Sequence, residues 1–495
     1  MRQPQISGDD RVRENGPLTP EKTNNFTQSC ISEIDWDGPT DPENPVNWSR
    51  KKKWLNMFSI SFLTLLTPLT SSIVAPAQGP VMKEFQITSR ILASFVVSIY
   101  LVGFAFGPLF LAPLSEIYGR LRIYQIGTFI FVIWNVAGAL APNIGALLAF
   151  RLLAGISGSS PITLGAGSIA DMFALEERGL ALSIYGLGPL LGPIIGPIAG
   201  GFLSEARSWR WIFWLLTIVS GVGFIMVIVL QSETYEPVLL RKRADRVKRE
   251  LGHSNVRYRD ELRLNAKELF LLSITRPLKL LFLNPSVALF SLYTGVMFGY
   301  LYLLFTTVTQ VYETTYGFSQ GATGLVFISI GVGSLFALVF FGLCSDKLQN
   351  ALIAKNDGQA EPEFRLPPSI PGSFLIPVGL FWYGWSAEMH VHWIMPIIGL
   401  GLIGFGMIAS LLPFQAYLVD SFGKYAASAI AANTVFRSLV GAFLPLAGSS
   451  MYARLGLGWG NSLLGFIATA MSPLPIIFFI YGKRIRLNPR FQVSL

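Results

Sequence analysis

Cysteine, histidine and charge are all scarce in this 495-residue chain, and each shortage closes off a class of protein. Two cysteines, Cys30 in a polar tail and Cys344 at the end of a hydrophobic run, cannot build a disulfide scaffold and are expected to be free thiols. The three histidines, His253, His390 and His392, have no cysteines or carboxylates beside them at ligand spacing. They read as loop residues, and neither a metal nor a cofactor is expected. There is no Walker loop, which argues against an ATP-driven pump. The first fifty residues are polar and proline-bearing, without the apolar core of a signal peptide. An uncleaved first membrane span is therefore expected to direct insertion. Charged residues make up 14% of the chain, against about 25% in soluble globular proteins, and 52% of residues are hydrophobic. The solvent implied is a bilayer.

What is abundant is apolar helix. Ser183 to Phe202 carries no charge and is long enough to cross roughly 30 Å of hydrocarbon. Gly188, Gly192, Gly196 and Gly200 recur in it every fourth residue, and Pro189, Pro193 and Pro197 keep the same step. Such a stripe lets a neighbouring helix approach backbone to backbone. In a membrane, neighbouring helices re-satisfy the carbonyls that prolines free, so we expect a bent, closely packed helix that serves as a hinge. Gly201 extends the small-residue surface.

Hydrophobic spans fall near 54–76, 90–112, 123–142, 145–170, 180–203 and 210–231, then near 285–310, 321–344, 369–386, 391–418, 425–449 and 459–482. Twelve crossings is the simplest count. The expected division is a disordered cytoplasmic tail over 1–50, a six-helix bundle over 51–231, and a basic cytoplasmic linker over 232–284. A second six-helix bundle over 285–482 and a cytoplasmic tail over 483–495 complete it. An even count puts both termini on one side. Twenty-seven Lys and Arg flank the spans on the side of the tails and five on the other, which makes the tails cytoplasmic. The sequons Asn25-Phe26-Thr27 and Asn47-Trp48-Ser49 then lie where they cannot be glycosylated. The net charge of +9 belongs to this orientation pattern and not to nucleic-acid binding. The halves echo each other: Ala170-Asp171-Met172-Phe173 has its counterpart in Val419-Asp420-Ser421-Phe422, each followed by a small-residue span. Two related sixes with a site between them near the midplane is a transporter pattern.

Three stretches carry a family resemblance. The second span runs out through Gly107-Pro-Leu-Phe-Leu-Ala-Pro-Leu-Ser-Glu116-Ile-Tyr-Gly119-Arg120-Leu-Arg122. The fourth contains Arg151-Leu-Leu-Ala-Gly155-Ile-Ser-Gly158, and the fifth Gly192-Pro-Ile-Ile-Gly196-Pro197-Ile-Ala-Gly200-Gly201. In this order they resemble motifs A, B and C of the major facilitator superfamily in its twelve-span drug:proton antiporter branch. Asp41-Pro-Glu-Asn-Pro-Val-Asn-Trp48 and Glu233-Thr-Tyr-Glu-Pro237 are similar to fungal members. The resemblance covers about residues 40–485. The sugar-carrier signature Pro-Glu-Ser-Pro-Arg is absent.

The residues and the resemblance together nominate sites. Glu116 and Arg120, four apart, can pair if the turn is helical. The resemblance implies that this loop stabilises an outward-facing state, although Ala112, Ile117 and Leu121 depart from the family pattern. A merely structural turn is the alternative. Arg151 lies deep in its span, where a charge is expensive. The resemblance gives it a part in proton transfer, and the alternative is an arginine satisfied by helix-end carbonyls. All 29 acids fall in tails, loops or last turns, so Glu116, Asp171, Glu313 and Asp420 are the nearest proton carriers. By analogy the first, fourth, seventh and tenth spans line the pocket. Tyr300, Tyr302, Gln310, Gln415 and Tyr417 are the candidate substrate contacts, with Arg437 in the eleventh span a second intramembrane charge. Aromatics with few charges suit a bulky, amphipathic or neutral ligand. Each could equally serve packing.

The expectation is an all-α membrane protein of two pseudo-symmetric six-helix bundles, the major facilitator fold. It would act as a proton-coupled exporter of a drug-like compound or secondary metabolite, and not as an enzyme. Its partners would be a small-molecule substrate, protons and membrane lipid. It is expected to be a monomer in the cell membrane, with the vacuolar membrane as the other location. An importer or facilitator of a polyamine or organic acid, and a non-transporting membrane receptor, are the alternatives.

Overall fold

The computed structural model describes residues 32–251, 256–258 and 266–491. Cys30, His253, the sequon at Asn25 and the ends of both tails lie outside the described residues. Two bodies are distinguished, Trp36–Leu239 with Arg263–Leu495, and Met1–Asp35 with Leu240–Leu262. The smaller holds a parallel pair of three-residue strands, Ser32–Ile34 and Val256–Tyr258. All other regular structure described is helical.

The larger body contains the spans. Span 1 is Arg50–Ser72, span 2 Arg90–Tyr118, span 3 Arg120–Ala139 and span 4 Ile144–Met172. Span 5 is Leu175–Ala206 and span 6 Arg210–Leu230. In the second half, span 7 is Pro285–Tyr316, span 8 Gln320–Lys355, span 9 Ser369–Glu388 and span 10 Ile394–Phe422. A final apolar stretch, Ala426–Leu487, has 62 residues, about three times what one crossing needs. Gly456, at φ 73°, breaks it into span 11 (426–455) and span 12 (457–487). Span 9 is rich in Gly, Ser and aromatics and so less apolar, but its 20 residues reach about 30 Å. Side-chain caps start several spans: Ser49 accepts from the Lys52 amide, Ser89 from Leu92, Asn143 from Ala146 and Asn284 from Ser286 and Val287.

The expected disordered tail is corrected over its last third. Asp41 accepts the amides of Asp37 and Glu43, and the Asn47 side chain donates to the carbonyls of Pro39 and Asp41. Trp36 Nε1 donates to Glu236 Oε1 at 2.9 Å. The segment is polar because it is a hydrogen-bonded Asx-type knot, and its polarity alone read as disorder.

Packing repeats with an offset of six. Span 1 packs on 5, 2 on 4 and 3 on 6; likewise span 7 packs on 11, 8 on 10 and 9 on 12. Across the halves, span 2 meets span 11 and span 5 meets span 8, contacts that the same offset exchanges. Small residues make the close crossings. A Cβ at Gly192 would lie 2.8 Å from the Leu69 amide and 2.9 Å from the Leu65 carbonyl. Gly188 stands likewise against Leu65 and Ser61, Gly196 against Leu69 and Ile73, and Gly200 against the Ile73 carbonyl. Successive glycines thus climb span 1 turn by turn. Pro197 and Gly201 meet span 8 instead, at Gly324 and Gln320.

Gly192→Ala is expected to lower the thermal midpoint of the purified protein, since overpacking a close crossing costs about 1–3 kcal/mol. Gly186, on the same helix with nothing within 4 Å of an added Cβ, is the comparison. Gly186→Ala should leave the midpoint unchanged or raise it. Equal midpoints for the two variants would show that the stripe does not carry the crossing.

Candidate functional site

Span 1 ends within the body, and a helix end leaves its last carbonyls without partners. Arg151 of span 4 supplies them. Its guanidinium donates to the Thr70 carbonyl at 3.4 Å, to Ser71 at 3.2 Å and to Val97 of span 2 at 3.2 Å. The cation also sits at the negative end of the span 1 dipole and 5.6 Å from the Tyr100 ring centre. Only 2% of Arg151 is exposed. This is the arrangement of an arginine held by helix-end carbonyls.

The same turn of span 1 reaches across the halves. Ser71 Oγ and Tyr302 Oη of span 7 lie 2.6 Å apart, both buried. The Tyr302 ring lies 5.2 Å from that of Phe298, tilted by 51°, and the Phe298 ring carries the guanidinium of Arg437 at 4.7 Å. Arg151 and Arg437 both act electrostatically on Tyr302, one from each half. Among the described residues no acidic side chain acts on either arginine.

A second group of polar residues lies on the face that carries the termini. Gly119, at φ 96°, separates spans 2 and 3, so Glu116 and Arg120 stand on different helices. The expected Glu116–Arg120 pair is corrected accordingly: Arg120 Nε faces Asp171 Oδ2 at 3.7 Å, Nη1 donates to Ser115 Oγ at 2.6 Å, and the Tyr235 ring lies 4.8 Å away. Glu233, 6% exposed, caps the start of span 3, accepting the amides of Arg120 and Leu121 as well as those of Thr234 and Tyr235. Thr234 Oγ1 donates to Asp171. The second half answers with Arg365, paired to Asp420 at 2.9 Å and to Asp346 at 3.7 Å, and with buried Glu363 paired to Arg486 at 3.1 Å. Lys483 and Glu361 form a further pair. On the opposite face Glu205 of span 5 accepts from Ser319 Oγ at 3.0 Å and from the Gly321 amide at 2.6 Å, capping span 8 across the halves.

Of the six nominated substrate contacts, Tyr302 and Arg437 reach this central contact. Tyr300 points to span 12, donating to the Leu464 carbonyl at 2.9 Å. Tyr417 packs on Phe290 and Phe478 within the second half. Gln310 is exposed and Gln415 half-buried. Tyr300 and Tyr417 are therefore corrected as substrate contacts: both fix helix packing within the second half. Two cavities, of about 790 Å³ along spans 8, 9 and 10 and about 390 Å³ between spans 5 and 6, are lined by apolar residues and lie on lateral faces.

A family profile described as Major Facilitator Superfamily matches residues 60–445. The chain belongs to that family. It is 71% identical to the MFS transporter cpaT of Aspergillus oryzae, over 99% of both chains. It is 54% identical to the MFS-type transporter penM of Penicillium rubens, over 93% of this chain and 91% of that one. With the efflux pump radE of Floropilus chiversii it shares 47%, over 93% and 86%. The crystal structure of a D-xylose-proton symporter superposes with a TM-score of 0.65 at 17% identity, covering 86% of this chain and 97% of that one. At that identity the likeness shows the fold. The chain is a secondary transporter of this family, a multi-pass membrane protein that handles small molecules and not an enzyme.

Glu233, Glu363 and Arg365 escaped nomination in the sequence. The signal available was position: each lies just outside a span, where a charge costs little and attracts no notice. Glu233→Gln removes one of the two carboxylate oxygens and turns an amide donor toward the span 3 amides. It should destabilise the folded protein by about 1–3 kcal/mol, the cost of a buried unsatisfied group. Exposed Glu236→Gln is the comparison in thermal unfolding, and equal midpoints would remove Glu233 from the scaffold.

Proposed function

We propose that this major facilitator exports a bulky amphipathic small molecule in exchange for protons. It works as a monomer in the plasma membrane with both termini in the cytoplasm. The observation that carries this reading is the polar island of Arg151, Ser71, Tyr302 and Arg437 at the contact of two otherwise apolar six-span halves. Polar groups at this depth are costly and mark a substrate or ion path. The 47% identity to the efflux pump radE supports the direction. The excess of Lys and Arg on the side of the tails supports the orientation.

Transport then follows from rocking of the halves. The Ser71–Tyr302 bond and the Glu205 cap on span 8 hold the far face closed. Both must part when that face opens, and span 5, sliding on span 1 and span 8 along glycines, is the hinge. The ion-pair groups on the terminal face keep each half rigid as it turns. Asp171, beside Arg120, and Glu313, whose Oε1 is buried without a hydrogen-bond partner, are the carboxylates placed to take up protons.

Cells expressing the protein are expected to retain roughly several-fold less of an amphipathic fluorescent compound such as pyrenebutyrate than cells lacking it, given the proton-motive force available. An uncoupler should restore retention to the control level. Retention that stays low in the uncoupler would refute proton coupling, and equal retention without it would refute export.

A further inference from the structure

Arg437 lies eleven residues into span 11, about 17 Å along a helix that crosses roughly 30 Å, and so near mid-bilayer. Its guanidinium carbon sits 4.7 Å over the Phe298 ring. Nε is buried without a hydrogen-bond partner, and the side chain makes no hydrogen bond or ion pair with any described residue. The residue is nevertheless not sealed: it is half-buried, so part of the fork reaches open space. Arg151 gives the contrast within the same molecule. At a similar depth, with a similar ring beside it, its fork is filled by three main-chain carbonyls. An arginine kept for packing can be satisfied here by carbonyls, and Arg437 is not.

The surroundings say what would satisfy it. Tyr302 is the titratable group that acts on Arg437, and among the described residues no carboxylate pairs with it. The local charge is therefore positive and uncompensated. Gly441, one turn on, leaves its face to Phe298 and Leu101, whose side chains lie 3.0 and 3.1 Å from where a Cβ would stand. The wall beside the cation is aromatic and aliphatic. A planar five-donor fork over such a wall matches a carboxylate-like group on an apolar body.

Resting on the export reading above, we propose that Arg437 is the subsite for an acidic oxygen group, and that the transported molecule is a bulky amphipathic organic anion. The apolar body lies against the half-buried Phe298 ring, and the anion accepts from the free donors of Arg437.

The test compares matched acids and amides on the full-length protein in lipid nanodiscs, with empty nanodiscs subtracted. The probe pairs are pyrenebutyrate with pyrenebutyramide and naphthylacetate with naphthylacetamide, read by fluorescence anisotropy. The acid of at least one pair should bind roughly ten- to a hundredfold more tightly than its amide, as a charge-assisted hydrogen bond would give. In Arg437→Gln that ratio should fall to about one, and in Arg437→Lys to an intermediate value, with thermal unfolding confirming that both variants fold. If Arg437→Gln does not fold, the wild-type and lysine ratios carry the test. No acid preference in any pair, or a preference that survives in both variants, would overturn the proposal. Failure of export itself would show as unchanged pyrenebutyrate retention in cells and would leave the acid-to-amide ratio of the purified protein as it is.

Discussion

A cation closed onto the carbonyl end of a helix is the union on which the rest of this molecule depends. Hydrocarbon offers no donors, so the last turn of span 1 cannot end inside the bilayer unless protein supplies them. Arg151 does, and in doing so fixes span 4 and, through Val97, span 2 against the same turn. The glycines of span 5 ride the other side of that turn, Gly196 and Gly200 against Leu69 and Ile73. Ser71 projects from it to Tyr302 in the second half. One turn of helix is thus held by a guanidinium, by a backbone crossing and by a hydrogen bond from the opposite bundle. Losing the cation would leave orphan carbonyls at the point where all three meet.

The halves differ from their interface in kind. Within each half, ion pairs and a buried, multiply bonded glutamate tie the terminal face together: Glu233 with Arg120 and Asp171 in the first, Glu363 with Arg486 and Arg365 with Asp420 in the second. Between the halves, the described residues make a hydroxyl pair at the centre and one carboxylate cap at the far face. Apolar side chains complete the contact, with Val97 and Leu101 of span 2 joining the core of the second half and Ile194 and Phe202 of span 5 seated on Gly331 and Gly321 of span 8, and such a surface has no hydrogen bonds or ion pairs to break. Rigid bodies joined by few, short, reversible contacts are what a two-state motion requires.

How much of this was legible in the sequence follows from the physics of each signal. The spans were, because twenty apolar residues have few uses other than crossing a bilayer. Span 9, diluted by glycine and tryptophan, was the weakest of them. The charge at 151 was legible as an anomaly, though its partners, carbonyls 54 to 81 residues away, leave no mark on composition. Spacing misled at Glu116 and Arg120: four residues make a pair only on one continuous helix, and Gly119 at φ 96° ends it. Tyr300 and Tyr302 were indistinguishable as residue types. Two positions on a helix are about 200° apart, so one faces span 12 and the other the opposite half. Glu233 and Glu363 look like ordinary loop acids until the amides and guanidinium they serve are brought to them by the fold.

The placement of the two arginines ties binding to movement. Arg151 belongs to the first half and Arg437 to the second, and both act on Tyr302 from opposite sides of the contact. Like charges brought together in a medium of low dielectric repel, so closing the halves around an empty centre works against itself. A ligand can shift such an equilibrium only by interacting differently with its two states. A negative group between the arginines does so: it is attracted by one cation when the halves are apart and by two when they are together. The electrostatic gain then grows with closure, which is the differential interaction that alternating access demands. Tyr302, bonded to Ser71 when the centre is closed, sits where the change in charge is largest. Its hydroxyl is therefore the group through which occupancy of the centre can reach the contact that must break.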